Sequence, residues 1–201
     1  MLDDCAIKTN LVICRGLTRE VRRHYMDRSR LNPVLIIVMG VSGSGKSSVA
    51  QALAEAYGYR YLDADDFHSD EAKQQMAAGT PLTDAMRAPW VNNICAYLTT
   101  CAQQNISCTL AFSGLRKAHR DRLRQLPFRL AFIYLKGNQE TIAERMNQRQ
   151  DHFMPTSLLT SQFSSMEGSN GESDVLPIDI TPALDEVINN CKQQLTLYLQ
   201  R

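Results

Sequence analysis

Two short stretches of the chain carry residue types that handle phosphate, metal and protons. The first, "GVSGSGKS" over residues 40–47, matches G-x-x-x-x-G-K-[ST] at every fixed position. Glycines in such a loop let backbone N–H groups turn inward around phosphate oxygens. The helix that follows adds partial positive charge at its N-terminus, the lysine reaches the outer phosphates, and the serine hydroxyl can ligate Mg2+. Gly40, Val41, Ser42, Gly43, Ser44, Gly45, Lys46, Ser47 and Ser48 are therefore the expected nucleotide-binding residues, with Lys46 also catalytic and Ser47 a metal ligand. The second stretch, "YLDADDFH" over residues 61–68, crowds three aspartates into four positions. Like charges repel at that spacing, so each carboxylate needs a reason to be there.

A phosphate loop by itself fits a GTPase switch, an ATP-driven motor or a small-molecule kinase. The chain has no Asn-Lys-x-Asp run to select guanine, and no apolar strand ending in Asp, since "CTLAFS" ends at Ser113. A carboxylate for Mg2+ must then come from elsewhere. Eleven helical residues, 47–57, carry the chain about 16 Å from the loop. Five strand residues, 59–63, bring it back about 16 Å. Asp63 is thus expected at the level of the phosphate loop, at the carboxyl end of a neighbouring parallel strand, where open α/β sheets bind ligands. With Asp63 toward the metal, Asp65 is placed to orient an attacking hydroxyl and accept its proton. Asp66 or Ser69 suits a cap for the next helix.

The surrounding elements are those that would position such a site. Apolar or alternating runs predict strands over 34–40, 59–63, 107–114, 129–137 and 174–180. Helical periods fall over 47–57, 70–79, 87–105, 116–126, 138–150 and 182–200, with Pro89 expected in the first turn of its helix. The stretch 151–173 is polar and glycine-rich. Strands alternating with helices predict a three-layer α/β fold around a parallel sheet, with residues 33–201 as one domain.

Residues 1–32 differ in character, holding seven basic against four acidic residues, while the whole chain has a net charge of +1. A weak apolar stripe over 18–30 predicts a basic extension that is loosely held or disordered. The near-neutral charge speaks against a dedicated nucleic-acid partner, and no apolar run approaches the ~20 residues of a membrane span. Six scattered cysteines without a C-x-x-C pair read as reduced thiols, so a cytoplasmic protein is expected.

Beyond these local readings, "MGVSGSGKSSVAQALA", "YLDADDFH", "MAAGTPLTDAMRAPW", "FSGLRKAHRDRLR", "FIYLKGNQETIAERMNQRQDHFMPTSLLTSQF" and "VLPIDIT" occur in order between residues 34 and 200. Together they resemble the bacterial gluconate kinases, P-loop kinases related in fold to shikimate and adenylate kinases. The resemblance implies ATP- and Mg2+-dependent phosphorylation of D-gluconate to 6-phosphogluconate, a twisted five-stranded parallel sheet with a helical lid over about 138–172, and a homodimer. It implies Asp63 as a metal residue, Asp65 as base, and His68 and Asp65 as substrate contacts. It also implies a lid whose arginines meet the phosphates: Arg145 as a nucleotide contact and Arg149 as catalytic. Residues 179–184 would pass the adenine.

A sugar acid needs cations for its carboxylate and neutral donors for its hydroxyls. Arg87, Arg116, Arg120 and His68 are the expected cations and Ser113 a polar neighbour, whereas Arg122 and Arg124 read as solvated helix charges. The acceptor half departs from the family pattern: Ala64 replaces a usual glycine, Phe112 a cysteine, Gly114 an alanine and Arg116 a lysine. Another sugar acid or a shikimate-like alcohol is therefore an alternative acceptor. A nucleotide-binding homologue with weak catalysis is the alternative from a different class.

Overall fold

The structure, a computed structural model, describes residues 32–80, 82–147 and 156–200. The extension expected over 1–32 lies outside the described residues save for Asn32. So do Arg149 and the rest of the lid segment 148–155, together with the side chain of Arg145.

Five strands form one parallel sheet: β1 (Val34–Met39), β2 (Arg60–Asp63), β3 (Cys108–Phe112), β4 (Arg129–Lys136) and β5 (Val175–Asp179), in the order β2-β3-β1-β4-β5. The continuous apolar run of β1 makes sense at the sheet centre, because both of its faces are covered. Ile36 and Val38 meet Val49 and Leu53 of α1 (Lys46–Tyr57) and Val187, Cys191 and Leu195 of α7 (Leu184–Leu199). Leu35, Ile37 and Met39 face Ile94 and Leu98 of α3 (Asp84–Gln103) and Leu123 of α4 (Lys117–Arg124). The period of two along the strand sorts these residues between the two faces.

Three expectations need correction. β2 does not lie beside β1; β3 intervenes, with Asp63 paired to Ala111 and Ala111 to Val38 in one row. The helix expected from residue 87 begins three residues earlier, because Thr83 Oγ1 accepts from Met86 N at 3.3 Å and caps it. Pro89 therefore sits inside α3, where it costs a helical hydrogen bond. The stretch read as polar and glycine-rich contains α6 (Thr156–Ser165). Its serines and threonines are poor helix formers, but burial of Leu159 and packing of Phe163 on the core outweigh propensity.

The remaining elements are α2 (Asp70–Ala77), capped by Ser69 accepting from Ala72 N, α5 (Gln139–Asn147), and a 3₁₀ turn over Ala64–Phe67 directly after β2. Four described cysteines, Cys95, Cys101, Cys108 and Cys191, are buried free thiols. Among the described residues no helix is long and apolar enough to cross a membrane.

Candidate active site

The turn from β1 into α1 is the predicted phosphate loop. Gly43 and Gly45 adopt φ of +82° and +95°, conformations that side chains disfavour. Gly43 also has no room for a Cβ, which would stand 2.5 Å from Met146 Cγ of α5. Ser44 Oγ is buried without a hydrogen-bond partner. Lys46 folds back to donate to the Val41 carbonyl at 3.1 Å. Gly40, Val41 and Ser44 form the inner frame of the loop, while Ser42, Gly43, Gly45, Lys46, Ser47 and Ser48 line a cavity of about 240 Å³.

Asp63 stands beside this loop. Ser47 Oγ donates to its Oδ2 at 2.8 Å, Tyr61 donates to the same oxygen at 2.9 Å, and Asp65 N donates to Oδ1 at 3.1 Å. Burial, followed by the bond to the Asp63 carboxylate, pushes the Tyr61 phenol up to about 12, so it stays a donor. Asp65 lines the cavity as well, because the 3₁₀ turn capped by Asp63 brings both carboxylates to the same opening. Ala64 occupies this turn with no positive φ, so the usual glycine is dispensable here.

The residues fit a Mg-nucleotide in the manner of the phosphate loop. Among the described residues no group of three or more His, Cys, Asp or Glu could hold a metal alone. A hydroxyl and carboxylate pair instead matches Mg2+, which keeps several waters and shares phosphate oxygens. Ser47 would be the direct ligand, oriented by Asp63. The buried, unpartnered Ser44 hydroxyl and the left-handed glycines of the loop suit an anion.

The acceptor half is assembled from three further segments. His68, buried, stacks on Trp90 with ring centroids 4.4 Å apart, and Trp90 stacks on Phe112 at 5.1 Å. Trp90 Nε1 donates to the Ala64 carbonyl at 2.6 Å, tying α3 to the aspartate turn. Phe112 thus fills its place as part of an aromatic stack. Gly114, at φ +62°, allows β3 to turn where a Cβ would come within 2.8 Å of Met39 Cβ. Ser113, Arg87 and Arg116 line the cavity. Asp84 pairs with both arginines, at 3.3 Å to Arg87 and 3.7 Å to Arg116, and Glu167 holds Arg116 from the other side at 3.4 Å. Arg116 Nε is a buried donor without a partner.

Two of the expected cations do not serve as such. Arg120 is fully buried and does not line the cavity. Its guanidinium is engaged by both Glu172 oxygens, at 3.0 and 2.5 Å, and by the carbonyls of Gly114, Leu115, Glu167 and Gly168. A guanidinium with its donors spent on one carboxylate and four carbonyls ties the chain together and binds no ligand. Burial lowers the pKa of His68, which favours the neutral imidazole over the cation. Arg124 is not a solvated charge either: it pairs with Asp121, Glu172 and Asp174 and lies 4.9 Å over the Phe132 ring.

Sequence reasoning missed His119 and Gln162, which line the cavity. His119 lies within the quoted "FSGLRKAHRDRLR" but carries no site role in the sequence reading, and burial likewise lowers its pKa. Gln162 fell in a stretch read as loop.

A parallel α/β sheet with a phosphate loop, a serine–aspartate pair beside it and a second carboxylate facing an acceptor cavity defines a P-loop kinase. The AAA domain family matches residues 35–169. The thermosensitive gluconokinase of Escherichia coli K12 is 36% identical over 158 residues, covering 78% of this chain and 84% of its own. The crystal structure of a gluconokinase from Sinorhizobium meliloti 1021 superposes with a TM-score of 0.74 at 39% identity, covering 85% of this chain and 99% of that one. An unliganded sugar kinase from Janibacter sp. HTCC2649 gives 0.77 at 35% identity, covering 82% and 95%. The chain belongs to the gluconokinase family.

Proposed function

We propose that this protein transfers a phosphoryl group from ATP to a hydroxyl of D-gluconate, giving 6-phosphogluconate. The observation that carries the reading is that one cavity is lined by Lys46 and Ser47, by Asp63 and Asp65, and by Arg87 and Arg116. A phosphate end, a proton-accepting carboxylate and a carboxylate-binding end are the three parts that phosphorylation of a sugar acid requires.

Bound Mg-ATP supplies the phosphoryl group and part of the charge neutralisation. Ser47, oriented by Asp63, would hold the metal, and the loop amides with Lys46 would hold the phosphates. Asp65, on its exposed turn, orients the attacking hydroxyl and takes its proton. Arg116, with Arg87 beside it, pairs with the sugar-acid carboxylate; its planar fork suits that partner better than a lysine would. His68 and His119, as neutral imidazoles, and Ser113 donate to or accept from hydroxyls. Arg145 and Arg149 would close the phosphate end from the lid. The resemblance further implies a homodimer, and the four free cysteines among the described residues fit a cytoplasmic setting.

The testing experiment is a coupled ADP-release assay over a panel of sugar acids, with Asp65→Asn as control. Turnover with gluconate and its loss in the variant are expected. Turnover with a different acid alone would replace gluconate as the acceptor. Nucleotide binding without acceptor-dependent turnover would sink the kinase reading.

A further inference from the structure

Helix α6 brings a side chain to the phosphate loop that none of the loop's own chemistry accounts for. Gln162 Oε1 accepts a hydrogen bond from Ser42 N at 2.6 Å, bridging 120 positions of sequence. Both residues line the cavity, together with Lys46, Asp65 and Arg116, and Ser161 and Ser165 of the same helix line it too.

Gln162 is presented from a firmly held element. Leu159, one turn earlier, is 1% exposed, and Phe163 packs against the same core cluster. Just beyond α6, Glu167 N donates to the Leu115 carbonyl at 2.8 Å. Behind it, the buried Arg120 donates to the Glu167 carbonyl at 3.3 Å. The helix is therefore fastened on both sides of the glutamine.

The orientation of the amide follows from its partner. Ser42 N can only donate, so the oxygen of Gln162 must face it. The remaining group of the same side chain is an NH₂ with two donor hydrogens and no charge. It shares the cavity with Lys46, assigned above to the phosphates, and Asp65, assigned to the acceptor hydroxyl. The ligand group that meets both of those is the phosphoryl group in transfer, whose oxygens are acceptors.

We propose that Gln162 is a phosphoryl-binding residue: its carbonyl is locked by the loop amide of Ser42, and its NH₂ donates to the phosphoryl group that ATP carries and ADP lacks. This rests on the kinase reading above but not on which acid is the acceptor. A strap with no ligand contact is the competing account, and the two separate cleanly in Gln162→Glu. Glutamate keeps an oxygen for Ser42 N, so a strap survives; it loses the donor and turns a repelling carboxylate toward phosphate. Gln162→Met removes both the oxygen and the donor.

The measurement is calorimetric affinity of the full chain for a non-hydrolysable ATP analogue and for ADP, without acceptor, beside hydrogen exchange at the Ser42 amide. In Gln162→Glu the Ser42 amide should keep its protection, the analogue should bind about tenfold more weakly, and ADP affinity should stay within about twofold. Gln162→Met, which adds no charge, should lose the protection and still bind the analogue less well relative to ADP than the wild type does; a wild-type ratio in this variant leaves only a strap. A Gln162→Glu protein with the wild-type ratio of analogue to ADP affinity overturns the proposal, as does one that binds the analogue better than Gln162→Met. Because no acceptor is present, a failure of gluconate to turn over leaves this result intact.

Discussion

Residues 40–48 build most of the nucleotide half of the cleft in one unbroken run, whereas the acceptor half is gathered from three separate places. Asp65 and His68 follow β2, Arg87 and Trp90 come from α3, and Ser113, Arg116 and His119 from the end of β3 and the start of α4, while Gln162 of α6 reaches the phosphate loop itself. The first half works through main-chain amides, whose direction is set by local backbone geometry. The second works through side chains whose direction is set by other side chains: Asp84 and Glu167 hold Arg116, Trp90 holds His68, and Asp63 fixes the turn that carries Asp65. A half made of backbone tolerates little change in sequence. A half made of supported side chains can exchange its members while the supports adjust, as Phe112 does beneath Trp90.

The contrast is broken most severely at the point where the halves meet. Asp65→Asn keeps the turn, since the bond to Asp63 comes from the Asp65 main chain. It removes the proton acceptor, so kcat should fall about 10²–10⁴-fold with ATP affinity unchanged. Steady-state kinetics with both substrates varied, beside nucleotide binding, checks this. A variant with wild-type kcat would remove Asp65 as the base.

A smaller but global effect is expected from the support behind the acceptor half. Glu172, beside Arg120 and Arg124, has its carboxyl held down to about 2, chiefly by the hydrogen bond from Arg120. Its folded value lies below the ordinary one, so its stabilisation is present above about pH 4.5 and is lost as pH falls toward 2. Glu172→Gln should cost about 3 kcal/mol at neutral pH, because Arg120 would stay buried without its counter-charge. The acid limb of the stability curve should flatten in the variant. Urea unfolding between about pH 3 and 7 measures both effects.

Arg116→Ala should act on one half only. Loss of a charge-assisted contact to a carboxylate is worth about 1.5–3 kcal/mol, so acceptor KM should rise about 10–100-fold while KM for ATP holds. A rise in both would mean that Arg116 serves the nucleotide, and that the halves are not separate.

How much of this was legible in the sequence follows the same division. "GVSGSGKS" states its own conformation, because its glycines sit where the loop needs positive φ, as at Gly43 and Gly45. β1 and β3 were visible as apolar runs, since burial on both faces leaves little ambiguity, whereas β2 and β5 are partly exposed and showed a weaker pattern. The return of Asp63 to the loop followed from the rise per residue, but its path across the end of β3 did not, because strand order is a property of the whole sheet. Arg120 misled because a guanidinium in a helix reads alike whether it faces a ligand or Glu172, fifty-two positions away. Gln162 was hidden because "TSLLTSQF" has poor helix formers, and only the burial of Leu159 decides its state.

The smallest expected effect concerns the imidazoles, and it separates a site of charges from a site of neutral donors. Burial is the main cause lowering both His68 and His119 below the ordinary 6.5, and Arg87 also opposes their protonation. Folded values below the unfolded one mean that the stability these neutral rings contribute is fully present above about pH 6.5 and lost as pH falls below it. For binding, neutral rings offer one donor and one acceptor each, matched to hydroxyls, and leave the carboxylate to Arg116. Acceptor KM should therefore stay level, within about twofold, from about pH 8 to about 6.5. If the histidines served as cations, the same KM would tighten as pH dropped through 6.5 and each ring gained its charge. A tightening of that kind that disappears in His119→Gln would restore the imidazoles to the carboxylate and take the second half of the cleft away from neutral recognition.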